Sequence, residues 1–261
     1  MSTPALVDRS TNQSVEKAVG VLAAFSDGQL LRVADVAKAT SLGQSTASRL
    51  LSTLESVGLV ERDTVSTLYR LGPELISLAG VALNQNAIHK AARQTAQNLA
   101  ASTGLGANVA IRREDSLFYI CNFEGKDAPK SFTLIGQRNP LHATGLGKCL
   151  LLGIAEDQRA ALLGEMRKYT GHTITEITAL NDVLATAQTR GYATEREELA
   201  LGRACVAAPI LDQSGAVQAA ISISGPLSAI DLDSRESELS RIVIETADRI
   251  SSSLGYLGPA S

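Results

Sequence analysis

The sequence predicts an α+β fold in two parts, and three observations support this prediction. Apolar residues recur at helical spacing from Val15 onward, and two short β-type runs follow before residue 72. Further along, β-type runs come first as a meander and last as a hairpin, with helices between them, which favours a mainly antiparallel sheet. The chain of 261 residues suits one or two domains, and 44% hydrophobic with 20% charged residues is ordinary globular usage.

Composition excludes several classes of protein. No apolar run approaches the ~20 residues that span a bilayer, and residues 1–13 form a polar arm without the apolar stretch of a secretory signal. The cysteines and histidines form no disulfide or zinc pattern, so no metal or cofactor is expected. We therefore predict a cytoplasmic protein with reduced thiols. The formal net charge of −3 excludes a wholly basic surface but allows a local DNA-binding patch.

Residues 14–72 have the element order of a winged helix-turn-helix. Helical periodicity and turn residues predict three helices and two strands, over Val15–Phe25, Val33–Ala39, Gln44–Val57, Leu59–Arg62 and Leu68–Leu71. The third helix is polar on the face that packing leaves outward, and such side chains can bond base edges or phosphates in a major groove. The candidate DNA contacts are Gln44, Ser45, Thr46, Ser48, Arg49 and Ser52, with Arg62 and Arg70 beside the hairpin.

The charge balance of this half leaves an alternative open. Residues 1–85 hold seven Lys and Arg against eight Asp and Glu, whereas a basic footprint is the usual sign of a DNA-binding domain. An interaction domain with ordinary surface charges would show the same helices.

Residues 73–87 are predicted to form a linker helix, which Pro73 can begin. Leu75, Ile76, Leu78 and Val81 make it apolar on most sides, so it is expected to be buried against a second copy of the chain or against the first helix.

Residues 88–258 would form the second domain. Its predicted helices are Ile88–Ser102, Thr144–Gly153, Glu156–Tyr169, Leu180–Arg190 and Asp233–Leu254, and its predicted strands are Asn108–Arg113, Leu117–Phe123, Phe132–Ile135, Tyr192–Glu195, Ala204–Leu211 and Ala216–Ser224.

Four stretches and the end of the last strand carry a family resemblance. They are Gln13–Ala18, Val33–Asp63, Leu141–Lys148, the run from Gly191 through Glu195–Glu198 to Cys205–Pro209, and Ile221–Pro226. In this order they cover nearly the whole chain, and together they resemble the IclR family of bacterial transcriptional regulators.

The resemblance implies a winged helix-turn-helix that binds operator DNA and a GAF-like α/β effector-binding domain. It implies dimers, often paired into tetramers, that repress or activate catabolic operons. The effectors implied are small metabolites, frequently carboxylic or aromatic acids. The protein is thus expected to be a ligand-responsive transcriptional regulator and not an enzyme.

The candidate effector-binding residues combine local patterns with this resemblance. Backbone N–H groups at a helix start favour an anion, although a tight packing turn would have the same sequence. Ser222 and Ser224 share one face of a strand, which is either solvated or the floor of a polar pocket; the family favours the pocket. The full set is Ser131, Phe132, Thr144, Gly145, Leu146, Gly147, Glu195, Cys205, Ser222 and Ser224.

Three expectations about this site follow. The N–H groups of Gly145, Leu146 and Gly147 would meet the ligand's oxygens. Ser131 and Phe132 are placed only by alignment to the family. Glu195 is the family's pocket acid, but the acidic run around it could be a solvated surface, and a carboxylate there repels an anionic ligand unless one of the two is protonated. An uncharged amide, hydroxyl or hydrazide-like group would avoid that repulsion.

The rival function is a thiol-dependent hydrolase. Cys205 would be the nucleophile and His142 the base, oriented by Glu195. The sequence has no nucleophile elbow, metal motif or nucleotide fingerprint to support it.

Overall fold

The computed structural model describes residues 12–128 and 133–258, and the chain divides into two compact units between Ala82 and Leu83. Each unit has its own hydrophobic core. Within the described ranges, no helix is both long and apolar enough to cross a membrane.

The first unit is a winged helix-turn-helix, as predicted. Its helices and strands are α1 (Gln13–Ala23), α2 (Val33–Thr40), α3 (Gln44–Ser56), β1 (Val60–Arg62) and β2 (Tyr69–Leu71). Val21, Phe25, Val36, Leu51 and Tyr69 form much of the core, where the apolar faces of the three helices meet the hairpin. The strands pair antiparallel, and Leu31 forms a bridge to Tyr69, so the hairpin is tied to the segment before α2.

Two helices follow the hairpin. α4 (Glu74–Gln85) has no buried residue, and α5 (Ala87–Thr103) begins the second core. The Asn86 side chain caps α5 by accepting from the His89 N–H at 2.9 Å. Gly104, with φ of +72°, ends it in the left-handed conformation that glycine favours.

The second unit is built on one antiparallel sheet of six strands, as the strand order predicted. The strands are β3 (Gly106–Arg113), β4 (Ser116–Phe123), β5 (Arg138–Pro140), β6 (Ala193–Arg196), β7 (Arg203–Leu211) and β8 (Val217–Pro226), arranged β5-β4-β3-β8-β7-β6. The first meander and the last hairpin are joined where β3 pairs with β8. Residues more than a hundred positions apart therefore become neighbours.

Helices cover both faces of this sheet. They are α6 (Gly145–Leu151), α7 (Glu156–Leu163), α8 (Ile177–Arg190), α9 (Leu227–Ile230) and α10 (Leu232–Ser253). α5 and α10 pack on the face that carries Val206 and Ile221. α6 and α8 pack on the opposite face, against Ala207 and Ala220.

Two predicted elements of the second unit are wrong. The helix predicted to reach Tyr169 ends at Leu163, because Gly164 with φ of +54° leaves the helical conformation. Of the predicted strand Phe132–Ile135, Phe132 lies outside the described residues and the rest is not a strand. A turn at Gly136 follows instead, with the Leu134 N–H bound by a side chain, and β5 is the strand that pairs with β4.

Candidate functional site

The exposed face of α3 is the polar face that the sequence predicted. Ala47, Leu51 and Leu54 turn into the core, which leaves the other face in solvent. The exposed residues include Gln44, Ser45, Thr46, Ser48, Arg49 and Ser52. No side chain of the described residues caps the start of α3, where Gly43 is the N-cap, so its first N–H groups are open to a phosphate.

The three arginines that the sequence predicts to contact DNA differ in their interactions. Arg70 pairs with Glu61, and Arg62 donates to the Thr67 carbonyl at 3.2 Å and lies over the Tyr69 ring. The Arg49 guanidinium has no hydrogen bond or ion pair with any residue that the structure describes. Of these three arginines, Arg49 therefore carries the charge most available to DNA.

In the second unit, the strand register gathers the predicted polar residues on one face of the sheet. Two rows of neighbours cross the strands there: Glu195–Cys205–Ser224–Gly106, and Ala193–Ala207–Ser222–Asn108–Asn122. Period-two alternation sends Val206, Ile221 and Ile223 to the opposite core. The polar face is thus the side on which α6 packs.

A cavity of about 420 Å³ opens on this face. Six of the ten predicted effector-binding residues line it: Thr144, Leu146, Glu195, Cys205, Ser222 and Ser224. The sequence reasoning missed eight further lining residues: Asn108, Tyr119, Leu134, Asn139, Leu199, Ala200, Arg203 and Ala204. Ser131 and Phe132 lie outside the described residues.

Gly145 and Gly147 hold α6 against its neighbours instead of lining the cavity. A Cβ on Gly145 would lie 2.7 Å from the Cys205 sulfur, and one on Gly147 would lie 2.2 Å from the Leu141 carbonyl oxygen. The Thr144 hydroxyl caps α6 by accepting the Gly147 N–H at 3.0 Å. The prediction that this N–H meets a ligand is therefore wrong, because the cap already uses it.

A chain of side-chain amides crosses the sheet beside the cavity. Asn122 donates to Asn108 at 2.9 Å, and Asn108 donates to the Ser224 hydroxyl oxygen at 3.0 Å. Asn122 in turn accepts the Leu134 N–H at 3.1 Å, which fixes the loop that the sequence mistook for a strand. Because Ser224 accepts from Asn108, its own O–H remains to donate elsewhere.

The carboxylate of Glu195 is buried at the cavity wall. One oxygen, Oε1, accepts the N–H groups of Glu198 at 2.6 Å and Leu199 at 3.4 Å. Burial raises the pKa of Glu195, and these two N–H groups oppose that rise. Leu199, Ala200 and Arg203 continue this wall, so Glu195 also shapes the loop that carries them.

A buried ion pair, which the sequence reasoning missed, anchors the same loop. Lys148 of α6 is 1% exposed, pairs with the Glu198 carboxylate and donates to the Thr194 carbonyl at 3.1 Å. The Thr173 hydroxyl donates to the Glu198 carbonyl at 2.6 Å. Burial raises the pKa of Glu198 and Lys148 opposes the rise. A lysine directly after the glycine-rich turn was the sequence signal for this pair.

The geometry does not favour thiol catalysis. Burial raises the pKa of Cys205 well above that of a free thiol, whereas a nucleophilic cysteine needs a lowered one. His142 lines a different cavity, and its Nε2 contacts the Arg167 carbonyl at 3.0 Å. Within residues 12–128 and 133–258, no group of three or more His, Cys, Asp or Glu side chains could hold a metal ion.

Comparison with known proteins agrees with this architecture. Residues 14–64 match the IclR helix-turn-helix domain, and residues 80–252 match the model described as bacterial transcriptional regulator IclR C-terminal. The chain is 31% identical over 241 residues to the HTH-type transcriptional regulator BhcR of Paracoccus denitrificans, covering 92% of this chain and 86% of that one. It is 31% identical over 247 residues to XynR of Escherichia coli, covering 94% and 98%.

A solved structure shows the same fold over nearly the whole chain. An IclR transcriptional regulator from Alicyclobacillus acidocaldarius matches with a TM-score of 0.83 and 27% identity, covering 94% of this chain and 100% of that one. Since both units match in order and the C-terminal match alone spans more than half of the sequence, the chain belongs to the IclR family of bacterial transcriptional regulators, with a helix-turn-helix DNA-binding domain and a C-terminal effector domain.

Proposed function

We propose that the chain controls a catabolic operon in the cytoplasm, and that its affinity for operator DNA changes when a small metabolite binds. The metabolite would be a carboxylic or aromatic acid or a related amide. The observation that carries this proposal is the cavity of about 420 Å³, which opens on the polar face of the sheet and holds groups with unused hydrogen-bonding capacity.

Ser222 and Ser224 are the main ligand donors in this proposal. Ser222 lines the cavity, and its hydroxyl makes no hydrogen bond to any residue in the described ranges, so this donor is available to a ligand. Thr144, Leu146 and Cys205 would contact the ligand as wall residues, with Cys205 a small soft group and not a nucleophile. Ser131 and Phe132 stay a prediction for the opposite wall.

In the DNA-binding half, α3 would enter the major groove. Gln44, Ser45, Thr46, Ser48, Arg49 and Ser52 would face the bases and nearby phosphates, while Arg62 and Arg70 would lie near the backbone beside the wing. A dimer would place two such helices about one helical turn of DNA apart, or a multiple of it.

We further propose a homodimer, or a dimer of dimers, that uses α4. Ile76, Leu78 and Val81 are 77%, 60% and 56% exposed on this helix, and on α1 Val15 and Val19 are each 59% exposed. Exposed apolar side chains on these two helices favour burial by a second copy. In this division, residues 14–72 bind DNA, residues 73–87 link, and residues 88–258 bind the effector.

A binding titration at controlled salt tests the DNA proposal. The probes are duplexes from the regions upstream of the chain's own gene and of the neighbouring genes. Arg49→Ala should weaken specific binding by roughly 1–3 kcal/mol, since a free guanidinium suits a base contact. Arg112→Ala, an exposed arginine of the second unit, should leave binding unchanged. The absence of specific binding by the unaltered chain to any of these duplexes would refute the proposal.

A further inference from the structure

The hydrogen-bonding groups around the cavity are unevenly used, and this limits what the cavity can bind. The Asn108 amide is occupied by Ser224 and Asn122, and the Asn139 NH₂ donates to the Tyr119 hydroxyl oxygen at 3.1 Å. The O–H groups of Tyr119, Ser222 and Ser224 have no acceptor among the residues that the structure describes. These three O–H groups can therefore donate to a ligand group that carries acceptor oxygens, while the hydroxyl oxygens themselves can also accept.

Arg203, at the start of β7, adds a positive charge to the same wall. It has the strand parity of Cys205, so its side chain leaves the sheet on the cavity side. Its guanidinium has no hydrogen bond or ion pair with any described residue. Among the described residues that line the cavity, Arg203 is the one cation. Lys148 is nearby in sequence to the wall residue Leu146, but it is buried in its ion pair with Glu198 and does not line the cavity.

Glu195 lies in the same cavity with the opposite charge. Its Oε1 is filled by two backbone N–H groups, while Oε2 has no hydrogen bond to a described residue and can accept one. Both charges influence Tyr119. Burial raises the pKa of Tyr119 to about 12, the Glu195 charge adds to this rise, and the Arg203 charge opposes it. The cavity thus has a cationic, donor-rich part and an anionic, accepting part.

We propose that this cavity selects a small carboxylic acid that also carries a hydrogen-bond donor, with Arg203 as the residue that recognises the carboxylate. The guanidinium fork accepts a carboxylate in a two-bond arrangement, and the nearby serine hydroxyls add donors. Glu195 accepts a hydrogen bond from the ligand's hydroxyl or ammonium group. The repulsion expected between Glu195 and an anionic ligand is thereby offset by Arg203.

This inference rests on the proposed function, because it assigns the ligand class of the same cavity. A neutral amide is disfavoured, since it leaves the Arg203 charge desolvated without a counter-charge. A simple acid without a donor is disfavoured because it places an unrelieved carboxylate against Glu195. Arg203 therefore recognises the carboxylate of the ligand, and Glu195 recognises its hydrogen-bond donor.

Calorimetric titration of the full chain with matched compounds tests this. The probes are lactate, propionate and lactamide, and on an aromatic frame mandelate, phenylacetate and mandelamide, with phenylglycine replacing hydroxyl by ammonium. At least one acid that carries a donor should bind on the order of tenfold or more tightly than its donor-free and amide analogues. Arg203→Gln should weaken the binding of that acid by about ten- to a hundredfold. Arg203→Lys should weaken it by less, because lysine keeps the positive charge.

Arg249→Gln, an exposed arginine outside the cavity, is the matched control and should bind like the unaltered chain. Thermal unfolding confirms that each variant is folded. Three outcomes would overturn the inference. An amide could bind as tightly as its acid, the affinity for the acid could be unchanged by Arg203→Gln, or none of the probes could bind.

Operator binding is measured in parallel with the same compounds. Operator release by a neutral compound, independent of Arg203, would overturn this inference and leave the proposed function standing. Failure of the unaltered chain to bind any operator would instead overturn the proposed function.

Discussion

Replacing Lys148 by methionine should lower the free energy of unfolding of the second unit by about 3–5 kcal/mol. The Lys148 side chain is 1% exposed and that of Glu198 is 10% exposed, so the pair is screened from water. Removing the ammonium leaves a buried carboxylate whose Oε2 already has no partner among the described residues. An uncompensated buried charge is what makes breaking such a pair expensive.

Urea unfolding followed by far-ultraviolet circular dichroism measures this, because the chain has no tryptophan. The double variant Lys148→Met with Glu198→Leu should return to within about 2 kcal/mol of the unaltered chain, since apolar side chains of similar size often replace buried ion pairs without loss. Arg241→Gln, which breaks an exposed pair on α10, is the control and should change stability by about 0.5 kcal/mol or less. If Lys148→Met changes stability no more than this control, the pair does not anchor the loop.

Three further outcomes are expected. Gly145→Ala should destabilise the second unit by about 1–3 kcal/mol, because its Cβ would lie 2.7 Å from the Cys205 sulfur, and adding Cys205→Ala should recover part of the loss in thermal unfolding. The raised pKa of Glu195 means that the folded chain binds this proton more tightly than the unfolded chain does. The stabilisation from this tighter proton binding is fully present below pH 4.5 and is lost as pH rises through the pKa of the folded chain. The difference in free energy of unfolding between the unaltered chain and Glu195→Gln should therefore fall over that pH range, and a difference that does not change with pH would contradict this. Val81→Glu should shift the chain toward monomers in light scattering without altering the effector domain's circular dichroism, whereas an unchanged oligomer would exclude α4 as the contact.

Local patterns predicted the first unit well because its helices are defined by neighbours in sequence. The apolar spacing of α3 set both its buried residues and its exposed polar face, and Gly43 and Gly58 bracket it. In the second unit, alternation placed Ser222 and Ser224 on one face of a strand, and in the structure both residues line the cavity.

The groups that sequence reasoning missed depend on which strands become neighbours. Asn108 meets Ser224 because β3 pairs with β8, and no periodicity within either strand records that pairing. Lys148 and Glu198 are likewise fifty positions apart. One signal was available in part, since an asparagine within the apolar run of β3 needs a buried partner.

The decisive measurement is whether ligand binding in the cavity changes the affinity of the chain for operator DNA. In a titration of operator binding against a library of small carboxylic acids and amides, Ser222→Ala with Ser224→Ala should bind operator within about twofold of the unaltered chain, yet respond roughly tenfold more weakly to the compound that changes its binding. Ser252→Ala with Ser253→Ala, exposed on α10, should respond normally. A normal response by the Ser222 and Ser224 double variant would contradict the assignment of this cavity as the effector site.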